Sequence, residues 1–300
     1  MGQGATVDIR EAAALGQPWL SGALPDAVFI LAPPLLAAAA CLLTAWLVDA
    51  SAGVGIGLWL VLIVGIDVAH VYSTLWLTYL RPDARRKRAL VLIAVPTACW
   101  VIGALLYTVS ALLFWRILAY LAVFHFVRQQ YGLMRLYYRN QPETSLQRTV
   151  RAGTIYLSTL WPLAYWHTHP RVFSWFVDGD FLNLHTAPWI ADVTLLLLVC
   201  CGAMHLALEL RDWRVHRRFN LPANLVVAGT LASWSVGIVL FDGDLVFTLT
   251  NVVAHGIPYT ALVWMTARRA QKTEGLTRNR AVKRSVLVFL ALLIAAAFVE

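Results

Sequence analysis

Charge is scarce in this sequence. Asp, Glu, Lys and Arg make up 13% of its 300 residues, where soluble domains carry about a quarter. Apolar residues make up 60%, and mean hydropathy is +0.67. A chain of that kind folded in water would expose wide sticky patches. An ordinary soluble domain is therefore excluded, and a bilayer is the solvent that fits. Cysteine is sparse too. Cys41, Cys99, Cys200 and Cys201 all lie in apolar runs, and two of them are adjacent, so nothing reads as a disulfide framework. A secretory leader is also lacking. Residues 1–26 show no charged start feeding a short apolar core and a small-residue cleavage site. Ile9, Ala13, Leu15, Trp19 and Leu20 suggest a short interfacial helix there instead.

Long apolar runs are what the sequence has in abundance. A spanning helix needs about 20 mostly apolar residues. Helices are predicted near 27–49, 55–80, 89–109, 113–138, 150–167, 188–210, 222–241, 245–267 and 284–299. The expected fold is all-α: a polytopic transmembrane bundle of about 8–9 spanning helices. Residues 1–26 form an N-terminal cytoplasmic or interfacial segment, and 27–300 form one bundle. Pro33, Pro34, Pro96 and Pro258 fall inside helices and should kink them.

The cations fix an orientation. Segments 81–88, 135–151, 211–218 and 268–284 hold 20 of the 24 Lys and Arg. All four follow even-numbered helices, so they share one side. Cytoplasmic loops collect Lys and Arg, which puts the N-terminus and these segments in the cytoplasm, as in a multi-pass protein of a bacterial inner membrane. The net charge of +8 is then a topology signal, and no nucleic-acid partner is needed to explain it.

Polar residues inside the spans carry the functional signal. Each even-numbered helix holds a histidine: His70, His125, His205 and His255. Counted back from the cationic ends, three lie roughly 15–20 Å deep and His205 roughly 9 Å deep. Each has polar company at helical spacing. Asp67, His70, Thr74 and Thr78 form one stripe. His125 sits with Arg128, Gln129 and Gln130. Cys201, His205 and Glu209 form a third stripe, and Thr248, Asn251, His255 and Tyr259 a fourth. An ionisable group at mid-bilayer costs about 2.5–3.5 kcal/mol, so such groups turn inward and pair. Four stripes on like-directed helices most simply face one interior.

Neutral imidazole is a common ligand of iron, zinc and copper. The predicted metal ligands are His70, His125, His205 and His255, with His205 as the fourth. Asp67, Glu209 and Asn251 are placed as hydrogen-bond partners of those ligands, with the two acids open as ligands themselves. Arg128 and Gln129 are placed to orient a substrate oxygen or an anion. A second histidine group, His167, His169 and His185 with Asp178 and Asp180, lies in the outer segment 165–186. Its aromatic neighbours favour an interfacial belt over a metal site.

The phrases "DVAHVYSTLWLTYL", "FHFVRQQYGLMRLYYR" and "NVVAHGIPYTALVW" resemble segments of uncharacterised bacterial multi-spanning membrane proteins. That resemblance implies no particular activity. Carotenoid-cleaving membrane dioxygenases are similar in architecture only, with single histidines on several helices around one iron. The HxxxH and HxxHH boxes of membrane desaturases do not occur here. The expected function is a membrane metalloenzyme, an iron-dependent oxidoreductase or oxygenase acting on a lipophilic substrate. A proton-coupled transporter and a haem-binding membrane protein are the alternatives.

Overall fold

The computed structural model describes residues 17–44, 54–274 and 286–298. Among them are nine helices: α1 (Ala23–Thr44), α2 (Ile56–Trp76), α3 (Pro82–Val109), α4 (Ala111–Tyr138), α5 (Ser145–Thr168), α6 (Trp189–His216), α7 (Leu221–Leu240), α8 (Asp244–Glu274) and α9 (Val286–Ala297). Seven of these, α1–α4 and α6–α8, are long and apolar enough to cross a membrane. The other two expected spans, α5 and α9, fall outside that set among the described residues. α5 has 24 residues but is too polar, because its inward face buries Arg151, Thr154, Ser158, Thr159 and His167. Of α9, 12 residues are described, which is about 18 Å of helix. Most of the expected interfacial helix lies outside the described residues. Residues 17–22 are not helical.

Side-chain contacts tie the predicted cationic ends together. Arg139, at the end of α4, donates to the carbonyls of Pro18 and Trp19, which precede α1. Asn220, the cap of α7, donates to the carbonyl of Tyr137 on α4. Asp26 is fully buried and clamps this end. Its carboxylate accepts from the backbone N–H groups of Leu20 and Ser21 and from the Tyr137 hydroxyl. A buried carboxylate with three donors fixes where α1 enters the bundle.

α7 and α8 are the most enclosed of the seven apolar helices. Leu133, Met134, Ile155, Ala223 and Val226 join α4, α5 and α7 at the cationic end. Trp76, Val263, Phe289 and Leu293 join α2, α8 and α9. Phe126, Trp166, Phe173, Trp234 and Phe247 close the opposite end. α3 stands apart, with no residue of its apolar window buried. It meets α4 near their hairpin, where Tyr107 contacts Phe114.

The helices are irregular where the sequence forces them to be. Residues 27–31 of α1 take the wider π form immediately before Pro33 and Pro34, whose missing N–H groups cannot bond back to the preceding turn. In α3 the break falls at Arg88 (φ −129°, ψ 22°) rather than at Pro96. The cationic first turns thereby part from the apolar stretch. α2 changes form three times: a π stretch over Leu60–Val68, α-helix over Ala69–Ser73, and a 3₁₀ turn over Thr74–Trp76. His70 sits on the short α segment between. π segments in α-helices are frequent at functional sites because they re-aim side chains.

Candidate metal centre

Three of the four predicted histidines meet. His70 from α2, His125 from α4 and His255 from α8 each offer a ligand atom, and these atoms lie within 4.8 Å of one another. The Nε2 atoms of His70 and His255 are 3.0 Å apart, with the rings edge to face at 4.5 Å. His125 approaches His255 at 5.0 Å between ring centroids. Metal–nitrogen bonds run about 2.0–2.1 Å. Two such bonds at a tetrahedral angle would separate the nitrogens by about 3.3 Å, and at a right angle by about 2.9 Å. The observed 3.0 Å is a hydrogen-bond distance between the two rings, and it is also compatible with two ligands on one ion.

Each ring is held by something specific. The face of His255 stacks on Phe126 at 3.7 Å and 11°. Tyr259 lies edge-on to His70 at 5.7 Å, and its hydroxyl pairs with Thr74 Oγ1 at 3.1 Å. Asp67 Oδ1 stands 3.5 Å from His70 Nδ1, one helical turn earlier, as the stripe predicts. That is an approach rather than a closed hydrogen bond, and Nδ1 of both His70 and His255 is buried with no hydrogen-bond partner. The nitrogens that face each other are the Nε2 atoms, so an ion between the rings would meet Nε2 and leave each open Nδ1 on the far side of its ring.

The backbone around His255 is arranged for this. Pro258 has no N–H to return to the carbonyl of Ala254. Gln130 Nε2 supplies that carbonyl at 3.4 Å instead. Gln129 Nε2 donates to the carbonyl of His255 at 2.8 Å. The adjacent glutamines of α4 thus fix the register of α8 at the site. Gln129 therefore acts on backbone, where the sequence suggested it would orient substrate. Gly256 lets α8 approach α2 closely: a Cβ there would lie 2.6 Å from Ile66 Cγ2 and 3.2 Å from the Ile66 carbonyl oxygen. Gly256→Ala should destabilise the fold by about 1–3 kcal/mol, as overpacking does. It should also part His255 from His70, so thermal unfolding and metal retention fall together. An unchanged melting temperature would remove Gly256 from this role.

The site is not fully enclosed. His70 and His255 are buried, whereas His125 is exposed. It shares an exposed flank of α4 with Leu121, Phe124 and Arg128. An ion held by the three rings would face the surroundings on that side.

His205 does not join the cluster. It is buried elsewhere, its Nε2 2.8 Å from Asn224 Oδ1. Asn224 in turn donates to Glu209 at 2.9 Å. Glu209 belongs to an ion network at the cationic end: Arg151 Nη2 reaches it at 2.8 Å and Tyr138 donates to it at 2.9 Å. Arg151 also lies 3.4 Å from both Glu143 and Asp212. So Glu209 serves a buried arginine, not the histidine site. The shallower depth counted for His205 was the available sign of this. Of the partners that organise the network, Arg151 was read only as a topology cation and Glu143 was not singled out. Cys201 packs its sulfur 3.3 Å from where a Cβ on Gly153 would stand, a small residue at a helix crossing. Asn251 donates to the carbonyl of Phe247, and its Oδ1 is buried without a partner. It lies one turn from His255 but makes no hydrogen bond to any of the three rings.

Two of the outer histidines are held by local contacts, and His185 is exposed. His167 pairs with the Tyr120 hydroxyl at 2.7 Å and with the carbonyl of Leu163 at 2.7 Å. His169 stacks on Tyr165 at 4.0 Å. Asp180 accepts from the backbone of Phe176 and Val177. Among the described residues, none of these joins a metal-ligating group. No family model matches this chain, and no curated protein or solved structure matches it.

Proposed function

We propose that this chain is an integral membrane metalloenzyme whose ion is held by His70, His125 and His255. The observation that carries it is the convergence of three imidazole ligand atoms within 4.8 Å from three separate apolar helices. Three protein ligands leave coordination positions open, as catalytic sites require. Iron, zinc and copper all accept imidazole ligands; we read the ion as iron because open positions beside an apolar flank suit redox chemistry on a lipophilic substrate. Iron held by His70, His125 and His255 would supply redox chemistry with dioxygen as co-reactant. The surrounding residues bind and orient. Phe126 and Tyr259 wall the rings, Gln129 and Gln130 fix α8, and the open flank at His125 admits a lipophilic substrate from the bilayer. The Lys- and Arg-rich helix ends face the cytoplasm, as in a bacterial inner-membrane protein.

The test is metal analysis of detergent-purified protein. The wild-type chain should carry a stoichiometric ion, predominantly iron after growth in iron-replete medium. The H70A/H125A/H255A variant should carry none. A full complement of metal in that triple variant would falsify the site.

A further inference from the structure

The exposed flank of α4 holds a cation with no anionic partner. Arg128 lies three residues after His125, about 4.5 Å further along the helix axis toward the cationic end. Both side chains are exposed on that flank. The guanidinium donates to the Tyr156 hydroxyl and lies over the Tyr131 ring at 5.1 Å. Tyr131 and Tyr156 stack on each other at 5.1 Å. Two aromatic residues thus brace Arg128, yet among the described residues no carboxylate pairs with it. The other cation on the inner half of α4, Arg135, has Glu143 at 2.7 Å.

That contrast needs a reason. Arg128 is ten residues, about 15 Å, short of the end of α4 at Tyr138. A charge at that depth costs about 2.5–3.5 kcal/mol unless it is compensated. A guanidinium presents five N–H donors in a plane and takes a carboxylate in two parallel hydrogen bonds. Leu121, Phe124, His125 and Arg128 form one stripe along α4, apolar at one end and cationic at the other.

Building on the metal-site reading, we propose that Arg128 selects the substrate, and that the substrate is a long-chain amphiphile ending in a carboxylate. The acid group docks on Arg128, braced by Tyr156 and Tyr131. The first carbons of the chain pass His125, and the tail runs over Phe124 and Leu121. The carbons brought to the three histidines are those near the acid, not those at the far end of the chain.

Binding can be read without turnover. The protein is placed in nanodiscs of neutral lipid, and a fluorescent long-chain carboxylate is displaced by oleate or by methyl oleate, with metal content measured on each sample. Oleate should compete well and methyl oleate poorly. Arg128→Gln should weaken oleate by about ten- to a hundredfold, the range for a charged hydrogen bond, and leave methyl oleate unchanged. Arg128→Lys should restore part of the loss. Equal binding of oleate and its methyl ester, or oleate binding indifferent to Arg128→Gln, overturns the proposal. Wild-type protein that holds no metal yet binds oleate through Arg128 keeps the carboxylate site and refutes the metal centre. Full metal with no discrimination between acid and ester does the reverse.

Discussion

Arg151→Met is expected to lower the stability of the folded protein by about 3–5 kcal/mol, the range for breaking a buried ion pair from one side. Arg151 and Glu209 are each 3% exposed. The guanidinium contacts Glu209 at 2.8 Å, Glu143 at 3.4 Å and Asp212 at 3.4 Å, and it lies 4.0 Å over the Tyr138 ring. Methionine fills similar space but leaves the Glu209 carboxylate buried without its cation. The Tyr138 and Asn224 hydrogen bonds remain, and they do not neutralise charge. Adding Glu209→Gln should recover part of the loss, because no charge is stranded and the glutamine carbonyl can still accept from one of the two donors, which reach different oxygens of Glu209. Thermal unfolding in one detergent, for the two single variants and the double, measures this coupling. If the double variant loses the sum of the two singles, the pair is not a unit.

Acid should act on the same end. Partial burial alone would raise the carboxyl pKa of Glu143. Hydrogen bonds from Arg148 and Arg135, and their charges, outweigh that and hold it below the ordinary value. A carboxyl lowered in the folded state contributes stability that is complete above its unfolded pKa, about 4.3. That contribution fades as pH falls below that value toward the folded pKa. Glu143→Gln should lose stability at neutral pH and show a shallower decline below pH ~4 than wild type.

How much of this was readable in the sequence depended on period and depth. Apolar runs of about 20 residues placed the seven candidate spans to within seven residues at either end, because a bilayer leaves the backbone few alternatives to a helix. α5 was read as an ordinary span. Its polar residues face protein rather than lipid, and hydropathy alone does not report which way a residue points. The site was legible as stripes: Asp67 with His70, His125 with Arg128 and Gln129, and Asn251 with His255. Direction and depth then brought His70, His125 and His255 to one level. The same reasoning drew His205 into the group, although its depth already set it closer to the cationic end. Stripe logic says that a polar face turns inward; it does not say to which neighbour. Asn224 and Arg151, on α7 and α5, decide that for His205 and Glu209, and both sit in stretches with no histidine to draw attention. The glutamine pair shows the opposite limit. The need for a donor at the Ala254 carbonyl follows from Pro258 four residues on, but only the packing of α4 against α8 shows that Gln130 fills it.

The sharpest separation between the two polar centres is expected from a pair of histidine variants. His255→Ala removes the ring shared by both close contacts in the cluster, 4.5 Å from His70 and 5.0 Å from His125. Loss of a partner that merely orients a ligand costs about 10–100-fold in metal affinity; loss of a ligand should exceed that, leaving the purified protein metal-free. Exogenous imidazole should restore part of the binding, since the Phe126 face that His255 stacked on stays in place and the cavity opens beside exposed His125. His205→Ala should keep its metal in full. It strands Asn224 and loosens Glu209, so the expected penalty is about 1–3 kcal/mol in stability, as for a buried polar group left unpaired. Metal content and melting temperature then move independently, one for each variant. Loss of metal in His205→Ala at unchanged stability would make the ion a four-histidine centre, and the separation of the two networks described above would be wrong.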